Sequence, residues 1–168
     1  MSDASPPRRS AGIAGLSLKG RALRQLALRE LSRQELARKL APHAESTEQV
    51  ESLLDELERL GYLSAQRVVE SLLHRRAERY GNRRIRQEIE SRGLDPDDHA
   101  PALEGLRDSE AQRAQALWQR RFGTHSTDPR ERARQSRFLL SRGFPASLVA
   151  RIVRGEPTRE SSEDDDAN

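Results

Sequence analysis

The tetrapeptide Ser-Arg-Gly-Leu at 91–94 returns as Ser-Arg-Gly-Phe at 141–144, fifty positions further on. Each copy follows an Arg-rich amphipathic stretch and comes just before a proline, Pro96 or Pro145. A glycine with positive φ closes the last turn of a helix, and proline suits the first turn of the next one. Gly93 and Gly143 therefore mark helix–turn–helix corners. A corner written twice at this distance predicts tandem helical units, not one centralised core. The segment SRQELARKL at 32–40 has the same construction: Ser32 and Glu35 form a capping box, and Leu36 and Leu40 match Ile85 and Ile89 at an offset of 49.

The remaining periodicity extends this reading to the whole chain. Pro42 ends the short helix, Ser46 or Thr47 caps the next, and Val50, Leu53, Leu54 and Leu57 recur at the spacing of one buried helical face before Gly61. Longer helices over about 17–30, 64–80 and 109–122 introduce the three units, the second capped by Ser64, with Gly81 and Gly123 after the second and third. No stretch alternates with the period of a strand. The chain thus parses as all-α, in three tandem three-helix repeats at residues 17–61, 62–106 and 107–155, flanked by a flexible N-terminal tail (1–16) and an acidic disordered tail (156–168). Hydrophobic residues make up 34% of the chain and aromatics 4%, too lean for one thick core. Thin layers that bury one stripe against the next need less.

Several chemistries have no candidates. The chain holds no cysteine, which removes disulfides, Cys-based zinc sites and thiol catalysis and fits a reducing cytoplasm. No apolar run approaches membrane-spanning length, and MSDASPPRRSAGIAG lacks the apolar core of a secretory signal. The histidines, His43, His74, His99 and His125, never stand three or four apart, as two ligands on one helix face would. In DPDDH (95–99) Asp95 is better read as an N-cap, with Asp97 and Asp98 at the positive end of a helix dipole, than as part of a metal cluster. GLSLKGR (15–21) lacks the Gly-Lys-Ser/Thr order and the preceding strand of a phosphate loop. The expectation is a non-enzyme without cofactor or metal, and nothing demands more than a monomer.

Basic surface remains. Residues 1–155 hold 29 basic and 21 acidic side chains, whereas 156–168 hold one Arg and six acids. Twenty-eight of the thirty basic residues are arginine, the residue suited to phosphate and carboxylate, although a coding bias toward Arg explains the count equally well. HRRAERYGNRRIR (74–86) gathers Arg75, Arg76, Arg79, Arg83, Arg84 and Arg86 around Tyr80. RRFGTHSTDPRERARQSRFLLSR (120–142) adds Arg120, Arg121, Arg134, Arg137 and Arg142, with Arg130 and Arg132 between them. Such clusters are either solvated helix faces or a positive stripe for phosphate backbones. Tyr80 and Trp118 could stack on bases, but their helical spacing favours core packing.

The succession SRQELARKL, LLDELERLGYLSAQRVVESLLHRR, YGNRRIRQEIESRGL and RQSRFLLSRGF resembles the RecX family, regulators of the RecA recombinase, over about residues 17–155. Its most specific pieces are Gly61-Tyr62-Leu63, Gly81 before the basic RRIRQEI, and Arg142-Gly143-Phe144. One departure stands out: Ser64-Ala65 occupies the place of an acidic pair that commonly follows the Gly-Tyr-Leu. The resemblance implies an elongated, curved array of three-helix repeats that binds in the groove of a RecA–ssDNA filament and restrains strand exchange, ATP hydrolysis and coprotease activity. Direct binding to ssDNA or dsDNA is implied as well. Two other classes remain open from the residues: a stand-alone nonspecific DNA-binding helical module, and an α-solenoid interaction scaffold.

Overall fold

The computed structural model describes residues 15–158, so the expected tails, 1–16 except Gly15 and Leu16 and the acidic segment from Arg159 onward, lie outside the described residues. Among those described, every regular element is helical: α1 Leu18–Leu28, α2 Arg33–Leu40, α3 Thr47–Arg59, α4 Ala65–Arg76, α5 Asn82–Ser91, α6 Ala100–Asp108, α7 Glu110–Arg121, α8 Pro129–Ser141 and α9 Ala146–Arg154. Short 3-10 turns at Ala41–His43 and Pro96–His99 come after α2 and α5. The all-α expectation holds. The chain divides into two compact units, with the boundary between Ser64 and Ala65.

In the first unit side-chain caps open all three helices, two of them at positions the sequence names and one, Ser17, that it does not. Gly20 N–H donates to Ser17 Oγ at 3.1 Å to open α1. Ser32 and Glu35 form the reciprocal box on α2, at 3.1 and 2.9 Å. Of the two candidates on α3, Ser46 is the cap, accepting from Gln49 N–H at 3.2 Å. Each cap satisfies helix-start donors that lack an intrahelical partner, worth roughly 1 kcal/mol. The core beneath consists of Ala22, Leu31, Leu36, Leu40, Val50, Leu53, Leu54, Leu57 and Leu63.

The second unit holds two further cores. Val69, Leu72, Ile85, Ile89, Leu103 and Leu106 come from α4–α6. Ala114, Leu117, Trp118, Leu139, Phe144, Val149, Ile152 and Val153 come from α7, α8, α9 and the α8–α9 corner. The repeated tetrapeptide now has its geometry: Leu94 N–H donates to Ile89 O, and Phe144 N–H to Leu139 O. Tyr62 N–H to Leu57 O and Glu156 N–H to Arg151 O make the same bond after Gly61 and Gly155. This is the 6→1 bond of the Schellman motif, which requires the intervening residue to turn left-handed. Helix α2 instead ends in the Pro42-containing 3-10 turn, so the first corner uses different punctuation.

Two departures from the sequence pattern matter. Helix α4 stops at Arg76, although apolar spacing continues through Ala77 and Tyr80. And Gly81 closes nothing: its φ is −74°, and it stands at the N-cap of α5. Its role is contact. Gly81 N–H donates to Arg142 O at 2.9 Å, and a Cβ on Gly81 would lie 2.4 Å from the Gly143 carbonyl oxygen. A Cβ on Gly143, at φ +86°, would lie 2.6 Å from Arg84 Cβ. Neither position can carry a side chain without prying the backbones apart.

Candidate functional site

The Gly81–Gly143 crossing decides where the arginines go. It joins the start of α5 to the end of α8, so clusters 74–86 and 120–142, separate in sequence, become one surface. Arg142 Nη1 donates to Arg79 O and Arg120 Nη2 to Glu78 O, both at 3.4 Å.

On that surface cations and rings alternate. The guanidinium of Arg76 lies 5.5 Å from the Tyr80 ring centroid, and that of Arg142 lies 5.7 Å from Tyr80 and 4.5 Å from Phe138. Phe138 meets Phe122 edge to face at 5.3 Å, and Arg134 covers Phe122 at 5.5 Å. The planar guanidinium is suited to this stacking, worth about 0.5–1 kcal/mol per exposed contact. Rings and carbonyls hold Arg142, which has no carboxylate partner among the described residues. Arg76 also reaches Glu88 at 3.3 Å and Arg134 reaches Glu131 at 3.4 Å.

The other expected residues divide. Arg83 and Arg84 are exposed beside the crossing and have no carboxylate partner among the described residues. Arg86 is engaged with Asp97 at 2.8 Å, and Arg75 turns back to Ser71 Oγ on its own helix. Arg121 borders a hollow with Phe122, His125 and Arg134, and Arg137 is exposed one turn beyond Arg134 on α8. Next to the crossing lies a groove of about 800 Å³, lined by Arg83, Arg86, Leu103, Leu106, Leu140 and Phe144. Trp118 is core: its Nε1–H donates to the buried Gln135 Oε1 at 2.9 Å, and its ring stacks on His125 at 4.3 Å. Tyr80 is half-buried, its ring already occupied by arginine. Asp95 caps the turn at Pro96, accepting from Asp97 N–H at 2.9 Å.

The sequence did not single out the polar hub under this surface. Arg113 donates to Ala77 O (2.5 Å), Tyr80 O (2.7 Å), Leu106 O (2.8 Å), Asn82 Oδ1 (2.7 Å) and Ser109 Oγ (3.2 Å). It gathers carbonyls left over where α4 and α6 end, which is why α4 can stop early. Glu110 accepts from Asn82 N–H at 2.7 Å and Asn82 Nδ2 at 3.0 Å, capping α5 where Gly81 has no side chain to do so. Burial raises the Glu110 carboxyl above its ordinary range, against the pull of the Asn82 bond and Arg113. The same loss of water lowers Arg113. Sequence offered only one hint, an acid and a base three apart at the start of α7.

Fold and site together define an all-α helical-repeat protein whose charged groups gather on a basic, ring-braced surface. Comparison with known proteins gives the family. Residues 108–153 match the third three-helix domain of RecX. The regulatory protein RecX of Leptothrix cholodnii is 55% identical over 139 residues, 83% of this chain and 88% of that protein. That of Ralstonia nicotianae is 51% identical over 140 residues, with the same coverage. The crystal structure of RecX from Lactobacillus salivarius superposes with a TM-score of 0.68 at 18% identity, covering 82% of this chain and 93% of that one, and shows a shared fold. The chain belongs to the RecX family of regulatory proteins.

Proposed function

We propose that this chain regulates RecA by binding the RecA–ssDNA filament and lowering its recombinase, ATPase and coprotease activities, with direct contact to DNA phosphates contributing. In this reading it acts as a cytoplasmic monomer in three repeats, 17–61, 62–106 and 107–155, between two tails. The observation that supports it is the fusion of two Arg clusters into one surface at the Gly81–Gly143 crossing. Arginines held by rings and carbonyls are presented already oriented, so less side-chain entropy is lost when they meet phosphate or carboxylate. Arg83 and Arg84 would make the contact, and Arg142 would organise it.

The test is ATP hydrolysis by RecA on ssDNA with added wild-type protein or the Arg83→Glu/Arg84→Glu variant, at two salt concentrations, with circular dichroism as a folding control. Loss of inhibition with unchanged helicity is the expected result, and inhibition that survives removes this surface from the interface. Tight, steeply salt-dependent binding to bare DNA that suffices for inhibition would favour the stand-alone DNA module. Inhibition indifferent to salt would favour a scaffold.

A further inference from the structure

The acidic residues beyond Thr158 have no place in the function above, yet where the described chain ends gives them a target. Gly155 turns the chain off α9, and the residues after it are already held against basic side chains: Arg154 pairs with Glu156 at 3.5 Å, and Arg151 donates to Pro157 O. Glu156, Pro157 and Thr158 line a hollow with Gln115 and His125. His125 also lines the neighbouring hollow, with Arg121 and Arg134. Thr158 therefore stands one side chain away from the basic end of the surface. Along α8, Arg130, Arg134 and Arg137 fall at i, i+4 and i+7, one exposed face. Glu131, paired with Arg134, is the acid among them, and Arg121 and Arg137 have no carboxylate partner among the described residues.

The segment 159–168, Arg-Glu-Ser-Ser-Glu-Asp-Asp-Asp-Ala-Asn, carries five acids and one base. Eight residues separate Thr158 from Asp166, a reach of about 26 Å if extended. From Gln115 to Arg121 along α7 is about 9 Å. The acids can reach the arginines without strain, and a tether of this length holds them at an effective concentration on the order of millimolar. We propose that the acidic segment 160–166 folds back onto the Arg121–Arg134–Arg137 face of α7 and α8 and competes there with incoming polyanions. The regulatory consequence rests on the function proposed above, whereas the contact itself does not.

The absence of cysteine allows one site-specific probe. A nitroxide on Ala167→Cys in the full chain is expected to enhance amide relaxation at Arg121, Thr124, Ser126 and Arg130–Arg137. The enhancement should vanish in about 0.5 M salt, where exposed charges are screened, and in the Arg121→Glu/Arg137→Glu variant. Enhancement absent from this face, spread equally over α1–α3, or surviving charge reversal overturns the contact. Competition is read separately, by fluorescence anisotropy with a labelled oligo-dT. Neutralising the five acids (Glu160→Gln, Glu163→Gln, Asp164→Asn, Asp165→Asn, Asp166→Asn) should tighten binding about three- to tenfold at low salt. Unchanged affinity overturns the competition. A chain that binds no oligonucleotide at all refutes the direct DNA contact, while the nitroxide still decides the fold-back.

Discussion

In residues 15–64 eight basic side chains face eight acidic ones, while in residues 65–158 nineteen face thirteen. The difference goes beyond number. In the first unit Arg33 alone holds Glu51, Asp55 and Glu58, at 2.5, 2.8 and 2.8 Å, and Lys19 holds Glu56 at 2.7 Å. The acid-rich stretch 45–58 is thus largely answered from within, and its carboxylates push Arg33 above even the ordinary arginine range. In the second unit Arg142 lies on rings and carbonyls, Arg113 on carbonyls and amides, and Arg83 and Arg84 are exposed with no carboxylate partner among the described residues. A cation paired with a carboxylate is electrically silent at a distance. One braced by a ring or a carbonyl stays available, so the manner of holding separates a structural arginine from an offered one.

Substitutions can break this contrast. Gly81→Ala should have the largest effect, about 3 kcal/mol or more, because the new Cβ meets backbone. Gly61→Ala, with open space around it but φ +75°, should cost only about 1 kcal/mol. Urea unfolding measures both, and hydrogen exchange should show protection in α1–α3 retained in the Gly81 variant. Arg113→Met should lose about 2 kcal/mol by leaving carbonyls unanswered, with faster exchange at the end of α4. Arg142→Lys keeps the charge but forfeits the stacking on Phe138 and Tyr80. It should cost about 1 kcal/mol by denaturant titration, and a weaker grip on oligo-dT should accompany it. Arg33→Ala should cost only about 0.5 kcal/mol, since its partners are exposed and screened.

The smallest effect is a difference of sign with pH. The Lys19 ammonium holds the Glu56 carboxyl below its ordinary range, so that stabilisation is present above the usual carboxylate pKa and fades as pH falls through the lowered value. Glu110 behaves oppositely. Its raised carboxyl favours folding most below the ordinary value, and that contribution is lost as pH rises through the raised one. Stability measured from pH 4 to 7 should show the wild-type advantage over Glu110→Gln shrinking as pH rises. A wild-type advantage over Glu56→Gln should grow.

Local rules make much of this legible in the sequence. Ser32 with Glu35, Ser46, Asp95 and the corner glycines are each readable within a few residues, because capping is short-range chemistry. So are the apolar stripes that become the three cores. The features that escape such rules are long-range. Helix α4 ends at Arg76 because Arg113, 36 residues from Ala77, gathers the carbonyls beyond that end. The α5 cap arrives from Glu110, 28 residues away. The arginine clusters are legible as clusters, but not as one surface, since contacts between residues 42 to 63 positions apart, the two glycines foremost, join them.

That contact also limits how the molecule can change. Where helices meet through side chains, a larger or smaller residue resets their spacing, and a lineage can drift by small steps. Here main chain meets main chain, with only the Arg84 Cβ against Gly143 beside it, so there is little shim to exchange. The spacing between the two arginine-bearing helices is fixed by atoms common to every amino acid, and the charges around it are free to be rewritten one at a time.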